Sequence, residues 1–152
     1  MRNIIIGCDN AAVDLKKALI AFLKEKGIEV EDVGCGNAND PTMYPTVAAH
    51  VCERIVASGY QIKGILVCGT GIGMAITANK FKGIRAAVGH DIYSAERSVL
   101  SNNCNVLCFG ARVIGVELAK RILDAWIMLE FKDGASTPKV NNIIEIEKGN
   151  MK

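Results

Sequence analysis

Hydrophobic and polar positions follow two periods along this chain. Five short apolar runs, at Asn3–Gly7, Ile28–Val33, Lys63–Val67, Ile84–Val88 and Asn105–Phe109, have the length of strands. Between them apolar residues recur at three and four, the spacing of one helix face. Leu15, Ala18, Leu19, Phe22 and Leu23 predict a helix over Ala11–Lys26, closed by Gly27. Val47, Val51, Ile55 and Val56 predict a second over Thr46–Ser58. Thr70–Lys80 and Tyr93–Leu100 read as the third and fourth. Leu118, Ile122, Leu123, Ala125 and Trp126 predict a fifth over Val116–Leu129. Gly34–Pro45 and Lys132–Pro138 read as loops from their turn-forming residues. Val140–Lys148 can form a last helix, with Val140, Ile143, Ile144 and Ile146 apolar.

Strand and helix alternating five times predicts an α/β fold. The expected architecture is a single three-layer α/β/α domain over residues 1–152, with a five-stranded parallel Rossmann-like sheet and a C-terminal helical tail. No repeat of solenoid period interrupts it. The tail, residues 132–152, is too short to bury its own apolar face. It is expected to pack on the body or on a partner subunit, and an oligomer is therefore expected.

Composition narrows the function classes. Half of the 152 residues are hydrophobic and the formal charge is only +2. One Trp, three Tyr and four Phe leave no platform for base stacking, and no basic stripe accompanies them, so nucleic acid is not an expected partner. No apolar run nears the roughly 20 residues of a membrane span. No leader-like stretch opens the sequence, and a cytoplasmic location is expected. Cysteines at 8, 35, 52, 68, 104 and 108 form no C-x-x-C pair, and His50 and His90 stand apart from them. No metal site is expected. The six thiols read as reduced, mostly small buried hydrophobes.

The chemistry collects where parallel strands end. Three candidate loops lie there: Cys8-Asp9-Asn10, Cys68 to Gly73, and Gly89-His90-Asp91. In Gly64-Ile65-Leu66-Val67-Cys68-Gly69-Thr70-Gly71-Ile72-Gly73, a buried-type strand delivers a cysteine into alternating glycines and a helix start. Glycines let backbone N–H groups approach a ligand, and a helix start offers unpaired donors. Such a place holds an anion or a developing oxyanion and lowers the pKa of a thiol. One loop can thus supply a base and the stabiliser of its product.

Other glycine loops do not fit. Met74 breaks G-x-G-x-x-G and also stands where a phosphatase loop needs arginine. The Gly-Lys-Ser/Thr of a phosphate loop and the G-x-S-x-G elbow are missing. By type alone Cys68 is a buried strand-end cysteine; its glycines and helix start make it the reactive candidate. Thr70 can cap the third helix and serve the site as well. Asp9 reads equally as a cap of the first helix. Arg112 reads as a surface residue, His50 as structural, and His90 as a strand-end residue without a favoured site role. Strands one and three are common neighbours, which would set Asp9 across from Cys68.

As an ordered set, Gly7-Cys8-Asp9, Tyr44-Pro45, Cys68-Gly69-Thr70-Gly71-Ile72-Gly73, Ala78-Asn79-Lys80, Gly83-Ile84-Arg85-Ala86, Tyr93-Ser94-Ala95, Asn105-Val106-Leu107 and Phe109-Gly110-Ala111-Arg112 cover nearly the whole chain. The sequence resembles the sugar-phosphate isomerases of the ribose-5-phosphate isomerase B and galactose-6-phosphate isomerase family. The resemblance implies an aldose–ketose isomerase without metal or cofactor. It implies Cys68 as the base between C1 and C2, with Thr70 near the sugar oxygens. Backbone N–H groups from Gly69 through Gly71 to Gly73 would hold the enediolate. Asp9, Asn10 and Tyr44 would meet the sugar. Asn102 and Arg112 match positions that reach into a neighbour's site, and Lys139 matches a phosphate contact. A homodimer or a tetramer with sites at the subunit interface follows.

The departures are informative. Asn10 and Ser101 stand where the family usually has histidines, the second of which helps open the sugar ring. Ala135 and Lys139 stand where two phosphate-holding arginines are usual. Lysine keeps the charge and loses the planar fork. Serine cannot take a proton at neutral pH as imidazole does. A substrate of altered length, ring form or phosphate position, an open-chain one, or one without a phosphate is expected. The rival expectation is a non-catalytic sugar-phosphate-binding protein or an inactive partner subunit.

Overall fold

The chain was analysed as a computed structural model that describes residues 3–151; Met1, Arg2 and Lys152 of the expected domain lie outside the described residues. The elements run β1 (Ile4–Cys8), α1 (Val13–Glu25), β2 (Val30–Asp32), α2 (Tyr44–Ala57), β3 (Lys63–Cys68), α3 (Ile72–Ala78), β4 (Ala86–Val88), α4 (Ile92–Leu100), β5 (Val106–Gly110), α5 (Val116–Ile127) and α6 (Thr137–Asn150). The strands form one parallel sheet in the order β2-β1-β3-β5-β4. Strands one and three are neighbours, as expected, with Cys8 beside Val67. On the other side of β3, Cys68 pairs with Gly110.

The three central strands are buried on both faces, which is why β1, β3 and β5 read as unbroken apolar runs. Helices α1, α4 and α5 pack together over one face, and α2 with α3 over the other. Trp126 of α5 is fully buried, and its indole N–H donates to Ser98 Oγ of α4 at 3.2 Å. The Lys63 amine sits 4.7 Å from the Trp126 ring centre.

Local chemistry sets the element ends. Helix α1 stops at Gly27 (φ +75°), where Gly27 N–H donates to Lys24 O and Ile28 N–H to Leu23 O. That left-handed cap uses up Ile28, so β2 is shorter than the apolar run suggests. Helix α2 starts at Tyr44, two residues early, because Pro45 in its first turn needs no N–H partner. Helix α6 likewise starts at Thr137 with Pro138 in its first turn and runs longer than its apolar stretch. Helix α3 is shorter than expected: Thr70 and Gly71 belong to the turn before it. Strand β4 begins only at Ala86, because the Ile84 N–H is taken by Phe81 O in a turn and the Arg85 N–H by Asn105 Oδ1.

Two residues expected on apolar faces are exposed instead. Val56 is 41% exposed and Leu118 41%, because the buried stripes run through Val47, Ala48, Val51, Cys52 and Ile55, and through Ala119, Ile122, Leu123 and Trp126. The tail docks on the body through buried Val140 and through Glu147, whose carboxylate accepts the Gly83 N–H at 2.7 Å. Ile143 and Ile146 of α6 remain exposed.

Candidate active site

Parallel strands bring the three candidate loops to the same end of the sheet. Cys68 is the last residue of β3 and is 5% exposed. Its sulfur accepts the Gly71 N–H at 3.1 Å. Gly71 can aim that N–H because it takes φ +79°, a region closed to most side chains. There is also no room for one: a methyl group there would lie 3.0 Å from the Phe109 carbonyl carbon. A donor on the sulfur is the arrangement that holds negative charge. Thr70 Oγ1 accepts the Ile72 N–H at 3.3 Å within the turn, but the N-cap of α3 is Gly71, which has no side chain to cap with, so Thr70 does not cap the helix.

The end of β5 is locked to this turn. Ala111 N–H donates to Cys68 O at 2.8 Å, and Arg112 N–H to Gly69 O at 3.0 Å. A methyl group at Gly110 would lie 2.6 Å from Thr70 Cα. The Arg112 guanidinium lies over Gly69 of its own chain, where an added methyl would be 3.1 Å from Nη1. From the opposite side Tyr44 lays its ring on Gly73; a methyl there would be 2.5 Å from Tyr44 Cζ. Each glycine of the loop therefore admits a neighbour that a larger residue would push away.

The β1 loop lies alongside. Asp9 N–H donates to Val67 O at 3.2 Å, and its carboxylate accepts the Ala11 N–H at 3.0 Å, a local turn at the helix entrance. Asn10 Nδ2 donates to Asp40 O at 3.0 Å and so ties this loop to the one that leads to Tyr44. Thr42 donates twice to Asp40 Oδ1, which holds that carboxyl below the usual carboxylate range. Beneath, the buried Lys16 amine donates to Cys35 O and pairs with Asp32 at 2.9 Å.

The other five thiols are in contrasting surroundings. Burial pushes Cys8 and Cys52 up to about 12, Cys104 up to about 11, and Cys35 and Cys108 upward too. They stay protonated at neutral pH. All six cysteines are free. Among the described residues no three His, Cys, Asp or Glu side chains group to hold a metal ion.

One candidate is not brought to this end. Asn102 follows α4, which starts at the carboxyl edge and runs back about 13 Å at 1.5 Å per residue. It is exposed and lines a cavity of about 520 Å³ with Arg85, Arg97 and Tyr93 beside β4. Ser101 next to it accepts from Arg97 Nε at 2.8 Å. Lys139 stands exposed in the first turn of α6, and Ala135 is exposed in the loop before it.

His90 gave no favoured signal in the sequence, yet it touches the site's frame. Its Nε2 accepts the Gly110 N–H at 2.8 Å. Burial lowers its pKa below 6.5, opposed by Asp91. The readable signal was its place in the third candidate loop, two residues past the end of β4.

A doubly wound parallel sheet with a thiol and a glycine turn at its switch point defines an α/β enzyme with its site at the carboxyl ends of the strands. Comparison with known proteins sharpens that class. A sequence model described as ribose/galactose isomerase matches residues 4–143. D-erythrulose-4-phosphate isomerase 2 of Mycolicibacterium smegmatis is 50% identical over 148 residues, 95% of this chain and 97% of that protein. Ribose-5-phosphate isomerase B of Escherichia coli is 45% identical, covering 97% of this chain and 98% of that protein. The structure of ribose-5-phosphate isomerase B from Clostridium thermocellum superposes with a TM-score of 0.91 at 42% identity, over 97% of this chain and 98% of that one. The chain belongs to the ribose/galactose isomerase family and is an aldose–ketose isomerase. Among its described residues no helix is long and apolar enough to cross a membrane.

Proposed function

We propose that the chain interconverts D-erythrulose 4-phosphate and D-erythrose 4-phosphate by moving a proton between C1 and C2. The Cys68 sulfur removes the C1 proton of the ketose. The C–H electrons form the C1=C2 bond of an enediolate, and the C2 oxygen takes the charge. The sulfur returns the proton to C2 while the O1 proton passes to O2, giving the aldose. Backbone N–H groups between Gly69 and Gly73 hold the oxyanion, and the Thr70 hydroxyl stands by the two oxygens. Asp9, Asn10 and Tyr44 meet the sugar hydroxyls. Arg112, over Gly69, offers a fork for the phosphate. The observation that carries this reading is the Gly71 N–H aimed at the Cys68 sulfur within a turn overlaid by Tyr44 and Arg112.

Chemistry and relatedness both support the four-carbon substrate. With O4 esterified, a tetrose has no hydroxyl left to close a five-membered ring, so it arrives open. A histidine for ring opening is then unnecessary, and this chain has Ser101 at that position. The relative at 50% identity is named for this sugar. Asn102 follows the far end of α4, and its match to a substrate contact is met if another copy supplies it, so we read the enzyme as a homodimer or a tetramer with sites at the interface.

The test is a comparison of kcat/KM for D-erythrulose 4-phosphate and D-ribose 5-phosphate. The four-carbon ketose is expected to be preferred, and Ser101→His to raise the ribose 5-phosphate rate alone. Preference for ribose 5-phosphate by the unaltered protein would overturn the assignment.

A further inference from the structure

Strand β4 is the edge of the sheet and ends at Val88. One residue later Gly89 N–H still donates to Cys108 O at 3.2 Å. The next inward-facing group on that side of β5 is the Gly110 N–H, and β4 has already left the sheet. A backbone donor at a strand end needs an acceptor. The His90 side chain supplies it through Nε2 at 2.8 Å.

That bond holds more than an edge. Gly110 is the register partner of Cys68. Thr70 rests on Gly110, Gly71 rests on Phe109, and Ala111 and Arg112 donate to Cys68 and Gly69. The whole turn that carries the sulfur and its donor is set against the end of β5.

We propose that His90 is a positioning residue for the 68–73 loop: its neutral imidazole, accepting the Gly110 N–H, fixes the β5 end against which Cys68, Thr70 and Gly71 are aligned. The inference rests on reading that loop as the site. The acceptor role assigns the tautomer, with the proton on Nδ1. Protonation of Nε2 places N–H against N–H and breaks the bond. Burial keeps the ring neutral, and Asp91 is the charged group acting on it. The Asp91 carboxylate is itself occupied, capping α4 through the Ser94 N–H at 2.7 Å. On the β5 and β3 side the titratable or charged residues nearest Gly110 in sequence or register are Cys108, Arg112 and Cys68. The depressed pKa sets the sign: the bond is complete above pH 6.5 and is lost as pH falls through the lower folded value.

The test compares wild type, His90→Gln and His90→Phe by kinetics and by the Gly110 amide signal in NMR spectra from pH 8 to pH 5. Gln offers a carbonyl acceptor that does not titrate; Phe fills the space and accepts nothing. His90→Phe is expected to lose about tenfold or more in kcat at pH 8 with KM changed by less than about twofold. His90→Gln is expected to keep kcat within about threefold. In wild type, kcat and the Gly110 amide shift should change together on acidification, and His90→Gln should flatten both responses over that range. Wild-type kcat in His90→Phe, equal damage in both variants, or a wild-type Gly110 amide insensitive to pH would each overturn the proposal. A wild type that isomerises no sugar would instead refute the reading of the Cys68 loop, whatever the Gly110 amide does.

Discussion

The two ends of the sheet carry different endowments. The amino end has room: a cavity of about 570 Å³ is bounded by Asn3, Lys24, Glu29 and Arg54, and another of about 550 Å³ by Lys26, Ile28 and Met128. Both are lined by groups that could serve as bases, Glu29 and Glu31 in the first and Asp124 in the second, but they lie at the end of the sheet opposite the glycine turn that could hold an oxyanion. The carboxyl end has the chemistry in a tight space, with a 5% exposed sulfur, its N–H donor, and Tyr44 and Arg112 laid on glycines. Concavity follows wherever loops diverge. Reactivity follows strand direction, because parallel strands place every following turn, with its free donors, at one end. Asn102 and Ser101 follow the far end of α4, away from the Cys68 turn of their own chain.

That contrast can be broken most forcibly at Cys68. Cys68→Ala should reduce kcat by about 10³-fold or more while thermal unfolding stays close to wild type, since a buried thiol and a methyl differ little in packing. The same change at Cys52 or Cys108, whose sulfurs burial keeps protonated, should leave kcat within about twofold and lower stability by a comparable small amount.

A second test asks whether the two ends meet across an interface. Asn102→Ala is expected to lower kcat by about tenfold. Unfolding and refolding an equimolar mixture of Cys68→Ala and Asn102→Ala chains should restore about a quarter of wild-type activity, because half of the dimers would hold one intact site of two. Activity equal to the average of the two parent proteins would mean that Asn102 does not act across the interface.

The smallest effect separates binding from stability. Gly73 lies inside α3, where alanine is favoured over glycine by about 0.5–1 kcal/mol. The Tyr44 ring occupies the space its methyl would take. Gly73→Ala should therefore leave the melting temperature no lower than wild type and raise KM severalfold as the ring swings aside. A fall in melting temperature with unchanged KM would mean that Tyr44 serves packing alone.

Much of this was legible in the chain. The double-sided burial of β1, β3 and β5 prints itself as apolar runs, and Cys68 stands out where such a run meets glycines. Gly27 as the close of α1 was legible too, whereas the early starts of α2 and α6 were weaker signals, because a proline near a helix start looks like a loop residue. Val56 and Leu118 misled because apolar residues one position off a buried stripe keep nearly the same spacing. Contacts between elements far apart in sequence were not legible. Tyr44 on Gly73, Arg112 on Gly69 and His90 on Gly110 depend on sheet order, and the insertion of β5 between β3 and β4 leaves no local mark. Of the tail's apolar residues, Val140 is buried against the body while Ile143 and Ile146 of α6 stay exposed.

The most direct measurement is isomerisation of D-erythrulose 4-phosphate in deuterium oxide, with the label located by NMR. A sulfur that exchanges its proton with solvent while the enediolate waits should place deuterium at C2 of the aldose and at C1 of recovered ketose in wild type, and at neither in Cys68→Ala. Wild-type labelling rates in Cys68→Ala would contradict the account, because another group would then be moving the proton.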